Sequence, residues 1–374
     1  WEFENGLKIA LREKAQKDYD ELLEIKKTRV PGADKINGWE RSYYADKLMK
    51  EKYQLDSDKV KEYFELDDVL AGLFSITQTL FDVEYREVQN PSVWHEDVRL
   101  FEVIKDGKIK GRFYLDLFPR DNKYGHAACF AIRYGKSTPQ GYKIPTASLV
   151  CNFPKPTEDK PSLMPHSQVR TFFHEFGHVL HHMMTTADLY SQSGTHVSRD
   201  FVEAPSQIFE NWTWNYEALK MFARHYETGE VLPKDLFDKM LSAKNVGSGM
   251  SASGQVFLGT FDLTLHDKYD PDGQKTTTDV LKEVQKEVSL IDYVEGTHFH
   301  TAFGHLTGYA SSYYGYLWSK VYAQDMFSVF EENGIMDTET GIRYRDIILA
   351  SGSSKDELEL VKEFLGREPN NESY

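Results

Sequence analysis

Cysteine is nearly absent: the chain has two, Cys129 and Cys151, and no CxxC spacing. A CxxC redox or metal site is therefore excluded, and both thiols, in apolar strand-like segments, read as free buried groups in a reducing compartment. No run of about 18 apolar residues occurs, which argues against a membrane span. Positive charge is scarce, with 44 Lys and Arg against 59 Asp and Glu and a formal net charge of −15. Such a chain repels polyanions at long range, so nucleic acid and acidic membranes are poor partners. Linkers rich in Pro and Ser, internal repeats and low-complexity tracts are missing. The opening Trp1-Glu2-Phe3-Glu4 is neither an initiator methionine nor a signal peptide. The sequence reads as an excised portion of a longer chain whose targeting information is not included. A cytoplasmic location is expected, with mitochondrial or periplasmic ones as alternatives.

What is present is globular. The 374 residues are 40% hydrophobic and 28% charged, with a generous 14% aromatic share. A chain this long buries on the order of 75% of its unfolded surface, so a substantial core is available.

Residues 1 to about 90 read as helical. Leu7, Ile9, Ala10 and Leu11, then Tyr19, Leu22, Leu23 and Ile25, recur near a 3.6 period. Pro31-Gly32 interrupts; the pattern resumes over Trp39–Tyr53 and Leu66–Leu80. The character changes near Val98. Alternating segments flank Asp106-Gly107, a hairpin signal, and Ala127–Ile132 and Ala147–Phe153 are further short apolar runs. A small, mostly antiparallel sheet over about 98–153 follows. Pro154, Pro156, Pro161 and Pro165 mark a loop, and helical spacing returns from about Ser167 and continues to about Phe364. Within that stretch, the Gly- and Ser-rich segment Val246–Gly254 reads as a mobile loop. The expected division is a helical segment over 1–95 and a catalytic domain over 96–374.

The helix after Ser167 carries His174-Glu175-Phe176-Gly177-His178, an H-E-x-x-H pattern. Positions i and i+4 lie one turn apart on one face, so two imidazoles converge on one ion. Glu175, one position round, reaches a water beside that ion without ligating it, the place of a general base in metalloproteases. A third ligand is required. His181 shares the face but lies about 10 Å along the axis from His174, too far for one ion. His181 and His182 therefore read as packing groups. The acidic candidates downstream are Asp188, Asp200, Glu203 and Glu210. Asp188 is too near the helix end to return to the ion. Arg199–Tyr216 reads as a second helix with Pro205 in its first turn, and Glu203 and Glu210, seven apart, share one face. One of the two is expected to ligate and the other to accept a hydrogen bond from a ligating imidazole; spacing does not say which.

Far downstream, His305-Leu306-Thr307-Gly308-Tyr309 runs on to Tyr313-Tyr314-Gly315-Tyr316. Phenols and an imidazole are donors suited to an oxyanion. The same stretch also fits an aromatic helix packed in the core.

These residues resemble one family. His174–Val179, Gly194–Gln207, Tyr114–Leu117, Lys123–Phe130 and Phe303–Trp318 are similar to the motifs, in order, of the thimet oligopeptidase and oligopeptidase A family of zinc peptidases (family M3), from about residue 70 to the end. The resemblance implies a mainly α, zincin-like catalytic domain with a small antiparallel sheet beside the active-site helix. It implies Zn²⁺ held by His174, His178 and Glu203, with Glu175 as base and Glu210 hydrogen-bonded to a ligand. It assigns His305, Tyr309, Tyr313 and Tyr316 to substrate and transition state, with Tyr316 first for the oxyanion, and makes Gly247–Gly254 a flexible loop near the site. Two departures stand out: only Gly308 precedes Tyr309 where the mammalian members have two glycines, and a preceding helical portion that forms the other wall of a channel is not part of this sequence. That portion is an expected partner. The expected activity is endo-cleavage of short peptides, with a peptidyl-dipeptidase or a catalytically idle peptide-binding module as alternatives.

Overall fold

In the computed structural model, which describes residues 1–373, the Asp106-Gly107 pair makes the tight turn expected of it. Both residues have positive φ, 52° and 67°, and join the strands Arg99–Lys105 and Lys108–Asp116. Positive φ at both central positions gives the turn a twist that matches paired strands. Tyr374, the last residue of the expected catalytic domain, lies outside the described residues. The chain is mainly helical with one five-stranded sheet: β1 (Glu84–Glu87), β2 (Arg99–Lys105), β3 (Lys108–Asp116), β4 (Ala128–Arg133) and β5 (Thr146–Val150). Spatial order is β1-β2-β3-β5-β4, all pairs antiparallel except β3 with β5. β1 falls within the stretch read as helical; Glu84-Tyr85-Arg86-Glu87 is too short and polar to declare a strand without β2 beside it. No helix of the described residues is long and apolar enough to cross a membrane.

Two compact units divide the chain: 1–56 with 235–317, and 57–234 with 318–374. The expected boundary at 95/96 lies inside the second unit.

The second unit holds the sheet and the helix His166–Met183 that carries the H-E-x-x-H residues. That helix follows Pro165, and Val169, Phe172, Phe173, Phe176, Val179, Leu180 and Met183 are all buried, one apolar face at helical spacing. Phe176 packs edge-on to Phe113 of β3, with ring centres 5.5 Å apart, and 5.7 Å from Phe74 of helix Leu66–Phe81. Phe101 of β2 stacks on Phe113. Burying each such ring contributes about 2 kcal/mol, so the cluster ties sheet and helices into one body. On β3, Gly111, Phe113 and Leu115 are buried while Arg112 and Tyr114 between them are not, the period-2 alternation of a sheet with one covered face. β5, hydrogen-bonded on both sides, is buried throughout.

In the first unit the long helix Glu2–Lys27 packs on the helix Ser248–Leu263. The expected loop over Val246–Gly254 is thereby corrected: from Ser248 onward it is helix, and only Gly247, with φ 68°, sits in a left-handed cap. Gly249 is there for closeness, since a Cβ on it would stand 2.6 Å from the backbone of Lys14 and Ala15. The buried Asp18 carboxylate accepts hydrogen bonds from the amides of Gly249 (2.7 Å) and Met250 (3.3 Å), satisfying donors that the new helix leaves open.

Candidate metal centre

The second unit's site starts from helix geometry. His174 and His178 stand one turn apart on His166–Met183, their rings 5.2 Å apart and nearly perpendicular at 83°. Both turn Nε2 toward one carboxylate oxygen: Glu203 Oε2 lies 3.2 Å from His174 and 3.1 Å from His178. Ser206 Oγ donates to the same oxygen at 3.1 Å. Among the described residues these three are the one group of His, Cys, Asp or Glu whose ligand atoms all lie within 4.8 Å of one another.

Glu203 gets there by a route that sequence spacing misstated. The expected continuous helix over Arg199–Tyr216 is instead a four-residue α turn, Ala204–Gln207, with Pro205 at its start, then a 3₁₀ stretch, Ile208–Trp214. Glu203 is the cap residue before that turn. The segment approaches the motif helix at Gly177, where a Cβ would stand 2.6 Å from the Pro205 carbonyl oxygen and from the Ser206 Cα. Glycine at the fourth motif position is thus what lets Glu203 reach both imidazoles.

Glu210 does not join the cluster; it meets His174 on the other ring nitrogen, with Oε1 2.9 Å from Nδ1. A carboxylate on Nδ1 orients the ring and presents Nε2 to an ion. Placement separates the two acids that spacing left alike: Glu203 faces both rings, Glu210 backs one. Asp188 is engaged elsewhere, accepting from Ser137 Oγ.

Electrostatics tell the same story. Burial opposes charging His174, but its bonds to Glu203 and Glu210 outweigh burial and hold the imidazole well above its ordinary value. Burial would raise Glu203, yet the His178 charge and the bonds to both imidazoles hold it well below the carboxylate range. The pocket therefore demands positive charge beside a buried carboxylate. Two imidazole nitrogens and one carboxylate are a donor set that suits a first-row divalent ion, zinc included, so the residues present fit a metal. Glu175 is 8% exposed on the same helix. Burial of the thiols, with the Glu175 charge beside it, pushes up Cys129 on β4 and Cys151. Both thiols are free, and Cys129, near the start of β4, is within electrostatic reach of Glu175. His181 and His182 are buried, and burial pushes each down to about 3, so both are neutral packing groups.

The remaining sequence candidates, His305, Tyr309, Tyr313 and Tyr316, belong to the first unit. They form one aromatic group: His305 Nε2 is 3.3 Å from Tyr316 Oη, and Tyr309 stacks on Tyr316 with centres 5.4 Å apart. Tyr313 is buried in a cluster with Phe261, Val280 and Phe303, and its phenol donates to Gln255 Oε1 at 3.1 Å. Tyr313 is buried, while His305, Tyr309 and Tyr316 stay partly exposed. Asp262 and Gln255, which hold this group, escaped the sequence reading. The available signal was an acid inside the apolar run Val256–Leu265.

A family model described as peptidase family M3 matches residues 1–374. Oligopeptidase A of Escherichia coli (strain K12) is 39% identical over 373 residues, 98% of this chain and 55% of that protein. The thimet-like oligopeptidase of Dictyostelium discoideum is 36% identical over 387 aligned residues, covering 100% of this chain and 57% of that one. The chain thus spans little more than half the length of these relatives. Among solved structures, an M32 carboxypeptidase from Deinococcus radiodurans R1 superposes with a TM-score of 0.50 at 11% identity, over 100% of this chain and 64% of that one, a likeness of fold alone.

Proposed function

This chain belongs to peptidase family M3, and from that premise we propose that it is the catalytic portion of a zinc-dependent endo-oligopeptidase acting on internal bonds of short peptides. The observation that carries the reading is the pair His174 and His178 converging on the buried Glu203 carboxylate, with Glu175 beside them on one helix. His174, His178 and Glu203 hold the ion, and Glu210 keeps the His174 ring oriented. When bound, a divalent ion there supplies Lewis acidity toward a water and the scissile carbonyl. The Glu175 carboxylate takes a proton from the attacking water and passes it to the leaving amine. On the family resemblance, His305, Tyr309, Tyr313 and Tyr316 meet substrate and transition state, with Tyr316, helped by His305, first for the oxyanion.

An extended substrate needs a strand edge. β4 is outermost in the sheet, with Phe130 and Ile132 exposed, and it offers that edge for backbone pairing. A cytoplasmic, reducing location suits the free thiols of Cys129 and Cys151.

The test is Glu175→Gln on the zinc-loaded chain with a quenched peptide. Metal content should stay stoichiometric while turnover falls by about 10²-fold or more; undiminished turnover removes Glu175 as the base. Product mapping on a peptide with a blocked C-terminus separates internal cleavage from dipeptide release.

A further inference from the structure

Asp262 is an acid with no business in an apolar interior unless something there needs it. It lies near the end of helix Ser248–Leu263 and is 0% exposed. A buried carboxylate is costly unless donors surround it. Here Oδ1 accepts from the Ser311 amide at 3.0 Å, Oδ2 accepts from the Tyr313 amide at 3.0 Å, and His266 Nδ1 lies 2.9 Å from Oδ1. The carboxylate therefore spans the turn between Tyr309 and Tyr316 from beneath. That turn is held against its own preference: Ser311 has φ 57°, a left-handed conformation that a residue with a Cβ disfavours. Gln255, seven residues earlier on the same helix, takes the Tyr313 phenol. One helix thus fixes the tyrosine turn by its backbone and by a side chain.

We propose that Asp262, through its bonds to the Ser311 and Tyr313 amides, is the positioning residue that holds His305, Tyr309 and Tyr316 in the arrangement that meets the substrate. The inference rests on the peptidase reading above. Asp262 touches no reacting atom and acts through the turn, so its loss is felt in the chemical step and less in substrate affinity. In Asp262→Asn one oxygen becomes an NH₂ facing a backbone N–H, and the turn loses one of its two anchors.

Three measurements decide it. In the unsubstituted protein the Ser311 residue is exposed, yet its amide should exchange hydrogen at least about 100-fold more slowly than in an unstructured peptide. Exchange at the unstructured rate overturns the inference whether or not any variant folds. In D262N the zinc-loaded chain should show kcat lowered about 10-fold or more, with KM within about two-fold and metal content unchanged. Adding Ser311→Gly, which makes the left-handed turn unstrained, should restore about five-fold of that loss and be nearly silent in the unsubstituted background. Normal kcat in D262N, or a loss that Ser311→Gly leaves untouched, overturns the positioning role alone. A zinc-loaded unsubstituted chain that cleaves no peptide overturns the peptidase reading and this inference with it.

Discussion

Gly177 lies so close to Pro205 that a methyl group at Gly177 would stand 2.6 Å from the Pro205 carbonyl oxygen. The contact sits in the middle of the H-E-x-x-H stretch and sets how near the Glu203 segment comes to the two imidazoles. It connects a helix-packing requirement with the geometry of the ion site.

Gly177→Ala should therefore damage two properties together. The segment must move outward, because the two nearest facing atoms are backbone and the third belongs to the buried Phe209 ring. Overpacking of this kind costs about 1–3 kcal/mol, and withdrawing Glu203 should weaken zinc at least about 10-fold. Zinc titration with a chromophoric chelator, alongside thermal unfolding, checks both. Unchanged affinity in a destabilised variant would show that Glu203 reaches the ion independently of this contact.

Glu203 and Glu210 should separate in their effects on metal retention. Glu203→Ala removes the oxygen lying 3.2 and 3.1 Å from the two ring nitrogens and should abolish stoichiometric zinc. Glu210→Ala removes only the partner of His174 Nδ1 and should weaken binding by about 10–100-fold. Elemental analysis after dialysis against graded chelator measures both. Equal retention by the two variants would return the third ligand to the open choice that spacing presents.

Glu4 predicts a pH dependence of stability in the first unit. It is 1% exposed beneath Gly259, and burial pushes its carboxyl up from 4.5 to about 7. Between those values the folded chain keeps a proton that the unfolded chain has released. Stability from this group is full below about pH 4.5 and falls as pH rises toward 7, by up to about 3 kcal/mol at 1.4 kcal/mol per unit. Glu4→Gln should remove that decline and be the more stable protein at pH 8. Parallel unfolding curves for the two proteins from pH 5 to 8 would contradict this.

Local pattern explains what was readable. Two imidazoles four positions apart share a face, with a carboxylate one position round, whatever surrounds the helix, so His174, Glu175 and His178 declare themselves by spacing. The apolar stripe from Val169 to Met183 and the Asp106-Gly107 hairpin are equally local. The family motifs, read as ordered strings, named Glu203, and its placement against both rings follows from contacts outside its own segment.

What the chain's one-dimensional pattern determined is the helix that carries His174, Glu175 and His178, the sheet next to it, and the family. Spacing did not separate Glu203 from Glu210, which are alike in chemistry; tertiary structure sets Glu203 against Nε2 of both imidazoles and Glu210 against Nδ1 of His174 alone. It also turned the glycine-rich stretch after Val246 from expected loop into helix, because Gly249 lets two backbones touch and Asp18 caps the end. Glycine and buried acid have weak local signals; their meaning comes from the atoms that distant segments bring against them.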